Sequence, residues 1–61
     1  MIEVRTPFGV ARAKVKELGG KAIDVAPEYE DCRRLARESG RDLSEVMRAV
    51  TSAARSELGL D

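Results

Sequence analysis

The stretch AIDVAPEYEDCRRLARESG, Ala22–Gly40, changes its hydrophobic period in the middle. Before Pro27, Ile23 and Val25 alternate with Ala22 and Asp24, the two-residue period of a half-buried strand. After it, Tyr29, Cys32, Leu35 and Ala36 fall on one face of a helix. Pro27 suits the first helical position, where its missing N–H would have no partner anyway. Glu28, Glu30 and Asp31 put negative charge at the positive end of the helix dipole. Gly40 ends the helix. A strand therefore feeds directly into a helix, and the flanking sequence decides what surrounds that junction.

Upstream, the alternation continues. Ile2 and Val4 interleave with Glu3 and Arg5 in one strand. Ala11, Ala13 and Val15 interleave with Arg12, Lys14 and Lys16 in a second. TPFG, with Pro7 presetting a turn, separates them, and LGG turns the chain into the third strand. Downstream, Asp42 or Ser44 can start a second helix whose apolar stripe is Leu43, Val46, Met47, Val50, Ala54 and Leu58, closed by Gly59. The expectation is an α+β fold: a three-stranded antiparallel β-meander followed by two helices packed on one face, β-β-β-α-α, with residues 1–61 as a single small domain.

Parity and charge suggest registers. A four-residue loop from Pro7 to Val10 pairs Val4 with Ala13 and Ile2 with Val15, and places Arg5 opposite Arg12. A three-residue Leu18-Gly19-Gly20 loop pairs Val15 with Ile23, Ala13 with Val25 and Lys14 with Asp24. A two-residue Gly19-Gly20 loop would mix the faces. The polar face then reads Glu3–Lys14–Asp24. The Arg5–Arg12 pairing is a like-charge contact and raises a question.

Composition narrows the chemistry. The chain has 61 residues, one cysteine, no histidine, and 11 basic residues balanced by 11 acidic ones. So small a chain buries little surface, and self-association or service within a larger protein is expected. Zinc-finger ligation and histidine-based catalysis are excluded by residue type. Neutrality argues against strong nucleic-acid binding. No apolar run approaches a bilayer span, no membrane contact is expected, and a lone cysteine without an export signal suits the cytoplasm.

Three features could carry chemistry, and each has a plainer reading. Glu28 and Asp31 share a helix face and could hold a hard divalent cation through oxygen, or they simply complement the dipole. Arg5 and Arg12, near the start of the first helix, could take a phosphate together with free helix amides, or carboxylates such as Glu28 neutralise them. Tyr29 and Cys32 face the sheet, where core packing outweighs a reactive thiol. Arg33, Arg34, Arg37 and Arg41 line a face best read as solvated, with Glu30–Arg34 as a surface pair. A strand followed by two helices around a glycine turn is also the order of ribbon-helix-helix DNA-binding dimers. KAIDVAP, however, offers little to read base edges.

VRTPFG (Val4–Gly9), AKVKELGG (Ala13–Gly20), VAPEYEDCRRLARESG (Val25–Gly40) and LSEV (Leu43–Val46) together resemble the C-terminal end of the LarC family of nickel insertion proteins. The resemblance implies a CTP-dependent cyclometallase that inserts nickel into a pyridinium-3,5-bisthiocarboxylic acid mononucleotide, making the nickel-pincer cofactor of lactate racemase. It further implies that this part is a nucleotide-binding, oligomerising module using a divalent cation, magnesium or manganese, with CTP. Arg5 and Arg12 would then hold phosphate, and Glu28 and Asp31 the cation. A purely structural assembly role within the rest of the nickel insertion protein is the alternative. Family members run to several hundred residues, so this stretch alone is not expected to be a complete nickel chelatase.

Overall fold

The computed structural model describes residues 1–60. Strands β1 (Ile2–Thr6), β2 (Gly9–Leu18) and β3 (Lys21–Pro27) precede helices α1 (Tyr29–Ser39) and α2 (Leu43–Glu57). The sheet is antiparallel in the order β1-β2-β3. This is the expected α+β meander with two helices. Val4, Ala11, Ala13 and Val25 bury one face of the sheet against Cys32 and Leu35 of α1 and Val46, Val50 and Ala54 of α2. Helix α2 packs across all three strands, and α1 packs on β2 and α2. Ala11 and Ala13 are completely covered because small side chains let the helices approach closely. Val46, Val50 and Ala54 recur every four residues, so α2 presents a continuous seam. Each buried valine contributes about 1.5–3 kcal/mol.

Both hairpin registers differ from the expected ones. In the first, the loop is only Pro7-Phe8, and Thr6 pairs with Gly9, Val4 with Ala11 and Ile2 with Ala13. The offset is two residues, which keeps every side chain on its expected face but changes its partner. Thr6 fixes the tighter turn: its hydroxyl donates to the Gly9 carbonyl at 2.9 Å and accepts from the Phe8 amide at 3.1 Å. Arg5 therefore sits opposite Val10, and Arg12 opposite Glu3. The expected like-charge contact is replaced by an attractive one.

In the second hairpin the loop is Gly19-Gly20, both with positive φ (60° and 76°), as a mirror-image two-residue turn demands. The parity conflict is resolved by an irregularity in β3. Glu17 pairs with Ala22 but Lys16 pairs with Asp24, so Ile23 is an extra residue. This bulge restores the faces beyond it: Val15 pairs with Val25, Lys14 with Ala26 and Ala13 with Pro27. It leaves Ile23 51% exposed, beside Leu18 at 72% near the hairpin tip.

Helix α1 begins slightly later than expected. Pro27 closes β3, and Glu28 is the N-cap, its carboxylate accepting from the Glu30 amide at 3.0 Å. Tyr29, expected on the core face, is instead 50% exposed, while Cys32 and Leu35 are buried as expected. Gly40 ends α1 in the left-handed conformation (φ 71°) and donates its amide to the Ala36 carbonyl.

Candidate functional site

β1 covers β2 from Gly9 to Ala13, whereas β3 covers it only from Ala13 to Leu18. The β3-side edge of β2 is therefore open from Arg12 back towards Val10. The first turns of α1 fill it. The Glu28 amide donates to the Arg12 carbonyl at 2.9 Å, extending the ladder by one bond. The Arg12 amide donates to Asp31 Oδ2 at 2.9 Å, so a side-chain carboxylate stands where a strand carbonyl would be. The Arg12 guanidinium closes on the same carboxylate, Nε to Oδ2 at 2.8 Å and Nη2 to Oδ1 at 2.9 Å. One turn later, Arg34 Nη2 donates to the Val10 carbonyl at 3.1 Å.

This contact is asymmetric in exposure. The Asp31 side chain is 13% exposed and the Arg12 side chain 51%. The hydrogen bond from the Arg12 guanidinium holds the Asp31 carboxyl well below its ordinary range, at about 2, against the opposing effect of burial. The Arg12 amide, the Arg12 charge and the Arg34 charge act in the same direction. The same hydrogen bond pushes the Arg12 guanidinium still further up. Both groups are ionised at any physiological pH.

The four residues singled out from sequence are thus placed unequally. Arg12 and Asp31 are in direct bidentate contact. Glu28 lies one helical turn before Asp31 and is engaged in capping. Arg5 is a diagonal neighbour of Arg12 on the exposed sheet face, and among the described residues its side chain makes no ion pair. On the outer arginine face, Glu30 approaches Arg33 at 3.8 Å, not Arg34 as expected, and Arg34 pairs with Glu38 at 3.4 Å. Beside the Arg12–Asp31 contact runs a groove of about 330 Å³ between the first hairpin and α1. Phe8 and Leu35 line it with Arg12, Asp31, Arg34 and Glu38; Arg5 and Glu28 do not.

Among the described residues no three or more histidine, cysteine, aspartate or glutamate side chains are grouped to hold a metal. Both oxygens of Asp31 accept from Arg12, and one oxygen of Glu28 caps α1, so the two carboxylates expected to hold a divalent cation are engaged within the chain. They do not suit nickel, which favours nitrogen and sulfur. Cys32 is fully buried, and burial pushes its thiol up, helped by the Asp31 and Glu28 charges. A second tie lies elsewhere: Arg55 of α2 meets Asp24 at 2.8 Å and donates to the Leu60 carbonyl at 3.0 Å. No described helix is long and apolar enough to cross a membrane.

The meander, the two helices and the strand–helix corner locked by Arg12 and Asp31 define a small α+β module with a charged corner beside an open groove. The chain belongs to the nickel insertion protein family, whose model matches residues 1–47. It is 52% identical over 50 residues to a putative nickel insertion protein of Roseiflexus castenholzii, covering 82% of this chain and 13% of that protein. It is 42% identical over 55 residues to the pyridinium-3,5-bisthiocarboxylic acid mononucleotide nickel insertion protein of Desulfitobacterium hafniense, covering 90% and 14%. The fold is similar to LarC2, the C-terminal domain of a cyclometallase involved in synthesis of the NPN cofactor of lactate racemase. That match has a TM-score of 0.77 at 30% identity, over 87% of this chain and 36% of that one. The chain thus spans about one-seventh of the curated relatives' length.

Proposed function

We propose that residues 1–61 act as a C-terminal nucleotide- and cation-binding, oligomerising domain of a CTP-dependent nickel insertion protein that makes the nickel-pincer cofactor of lactate racemase. The family membership and the likeness to LarC2 support the setting. The observation that carries the site is the bidentate Arg12–Asp31 contact, which joins a candidate phosphate ligand to a candidate cation ligand. In the free chain the two neutralise each other. When a nucleotide–magnesium complex arrives, its phosphate takes the guanidinium and its cation takes the carboxylate, with Glu28 as a second oxygen donor. The exchange keeps every charge paired, so it avoids stranding an ion. Arg5, diagonal to Arg12, adds a second cation for the phosphates. Nickel is the substrate metal and meets other parts of the longer protein, because this segment offers one buried cysteine and no histidine. On its own, residues 1–61 do not complete the metal insertion. A cytoplasmic location suits the reduced lone thiol.

Calorimetric titration with CTP and Mg²⁺ tests the reading. Arg5→Glu and Arg12→Glu are each expected to abolish binding; phosphate affinity that survives either change overturns the assignment of that residue. A second reading, a module for assembly alone, is favoured by the exposed apolar side chains of Leu18 and Ile23 near the tip of the β2–β3 hairpin. Light scattering after size exclusion decides it for the isolated chain: a clean monomer removes it. The ribbon-helix-helix alternative has no such support, since β3 is hydrogen-bonded to β2 along its length.

A further inference from the structure

The two edges of the sheet are finished differently. At the β3 edge, Asp24 turns its carboxylate onto the Val25 amide at 2.8 Å, and Arg55 of α2 closes on the same oxygen at 2.8 Å. Side chains thus occupy that edge, one of the ways a sheet resists pairing with a foreign strand. Among the described residues, β1 has no such cap on its outer side. The backbone groups it leaves open can be assigned. The amide and carbonyl of Arg12 and the carbonyl of Val10 turn towards α1, away from β1. In an antiparallel pair, residues directly opposite each other turn their backbone groups both inward or both outward. Glu3 and Arg5, opposite Arg12 and Val10, therefore present their amides and carbonyls to the outer side of β1. Their exposed side chains carry opposite charges two positions apart.

We infer that β1 is a self-pairing edge, which takes β1 of a second copy of this chain, antiparallel about a two-fold axis at Val4. This rests on the oligomerising part of the reading above and not on its nucleotide part. In that register Glu3 stands opposite the partner's Arg5, and Arg5 opposite the partner's Glu3. Each pair exchanges two backbone hydrogen bonds and adds an attractive charge pair on the exposed face. Arg5, which has no ion pair within its own chain among the described residues, gains one. Val4 meets the partner's Val4 on the helix-covered face, so the faces of the two sheets stay aligned. Charge also fixes the register. A slip of two residues one way sets Glu3 against the partner's Glu3, and the other way Arg5 against the partner's Arg5. Pro7, without an N–H, ends the ladder.

The paired edge is short and Val4 is already buried, so the dimer is weak and accumulates with concentration. Sedimentation of the whole chain from micromolar to millimolar concentration is expected to show the mass rising towards that of two chains. Over the same range, amide hydrogen exchange should slow at Glu3 and Arg5. Glu3→Arg sets arginine against arginine in both pairs, and Arg5→Glu sets glutamate against glutamate. Each variant alone is expected to associate at least about 5-fold more weakly. An equimolar mixture of the two should regain the affinity, because both pairs are then attractive; folded variants that fail to complement each other overturn the proposal. The exchange measurement needs no variant. An assembled chain whose Glu3 and Arg5 amides exchange as fast as in dilute solution overturns this interface and leaves the oligomerising reading standing. A mass of one chain at millimolar concentration overturns both.

Discussion

Replacing Asp31 by asparagine removes the charge while keeping an oxygen that can still accept from the Arg12 amide. The carboxyl falls from its ordinary 3.8 to about 2 in the folded chain. At 1.36 kcal/mol per unit, the full preference for the ionised form is about 2.4 kcal/mol. The guanidinium that supplies most of it is half exposed, and solvent screening reduces the contribution to about 1–2 kcal/mol. For a domain of this size each kcal/mol moves Tm by about 4–8 °C, so Asp31→Asn should melt roughly 5–15 °C lower near neutral pH. The pH dependence follows from a depressed carboxylate. Its stabilisation is fully present above the unfolded value near 3.8, declines as pH falls through that value, and is gone near pH 2. Thermal melts followed by circular dichroism, for both chains from pH 7 to pH 2, should show the gap closing below about pH 4. Equal melting temperatures at pH 7, or a gap that persists undiminished at pH 2, refute the assignment of this stability to the Arg12–Asp31 charge pair.

Gly9 has φ 128°, and a Cβ there would lie 2.7 Å from Leu35 Cδ2, so Gly9→Ala should cost at least about 2 kcal/mol in a chemical-denaturation curve. Leu35→Ala should cost about 2–5 kcal/mol, and in that background the Gly9→Ala penalty should shrink, a non-additivity that a double-mutant cycle measures. Cys32, fully buried with its thiol pushed up by burial, should react with a thiol reagent only as fast as the chain unfolds; prompt labelling of the native protein contradicts its burial.

The order of elements was legible because each has a clean period: two in Ile2–Val4, Ala11–Val15 and Ile23–Val25, and near 3.6 in Cys32–Ala36 and Leu43–Leu58. The registers were not. In the first hairpin, two-residue and four-residue loops have the same parity, and the choice rests on the Thr6 hydroxyl bracing the turn. In the second, the bulge at Ile23 lets a two-residue glycine turn coexist with the correct faces, and alternation cannot reveal an inserted residue that it also compensates. The site was half legible. Arg12 and Asp31 were both singled out, yet as ligands of opposite ions rather than of each other. They lie nineteen positions apart, and their contact exists because β3 ends before β2 does. The signal that points to it is the strand lengths: a ten-residue β2 beside a seven-residue β3 leaves edge groups to be satisfied from the helix that follows. Arg34 on the Val10 carbonyl follows from the same mismatch.

The central claim is that the Arg12–Asp31 corner opens to share its charges with a nucleotide and its cation. An amide NMR titration with CTP and Mg²⁺, repeated with trace Mn²⁺, tests it most directly. The account predicts shifts at Arg5 and Arg12 on adding nucleotide, and paramagnetic broadening centred on Glu28 and Asp31. Peaks that stay still at millimolar nucleotide, or broadening centred away from α1's first turn, would contradict it and leave the Arg12–Asp31 contact a device that seals the open edge of β2.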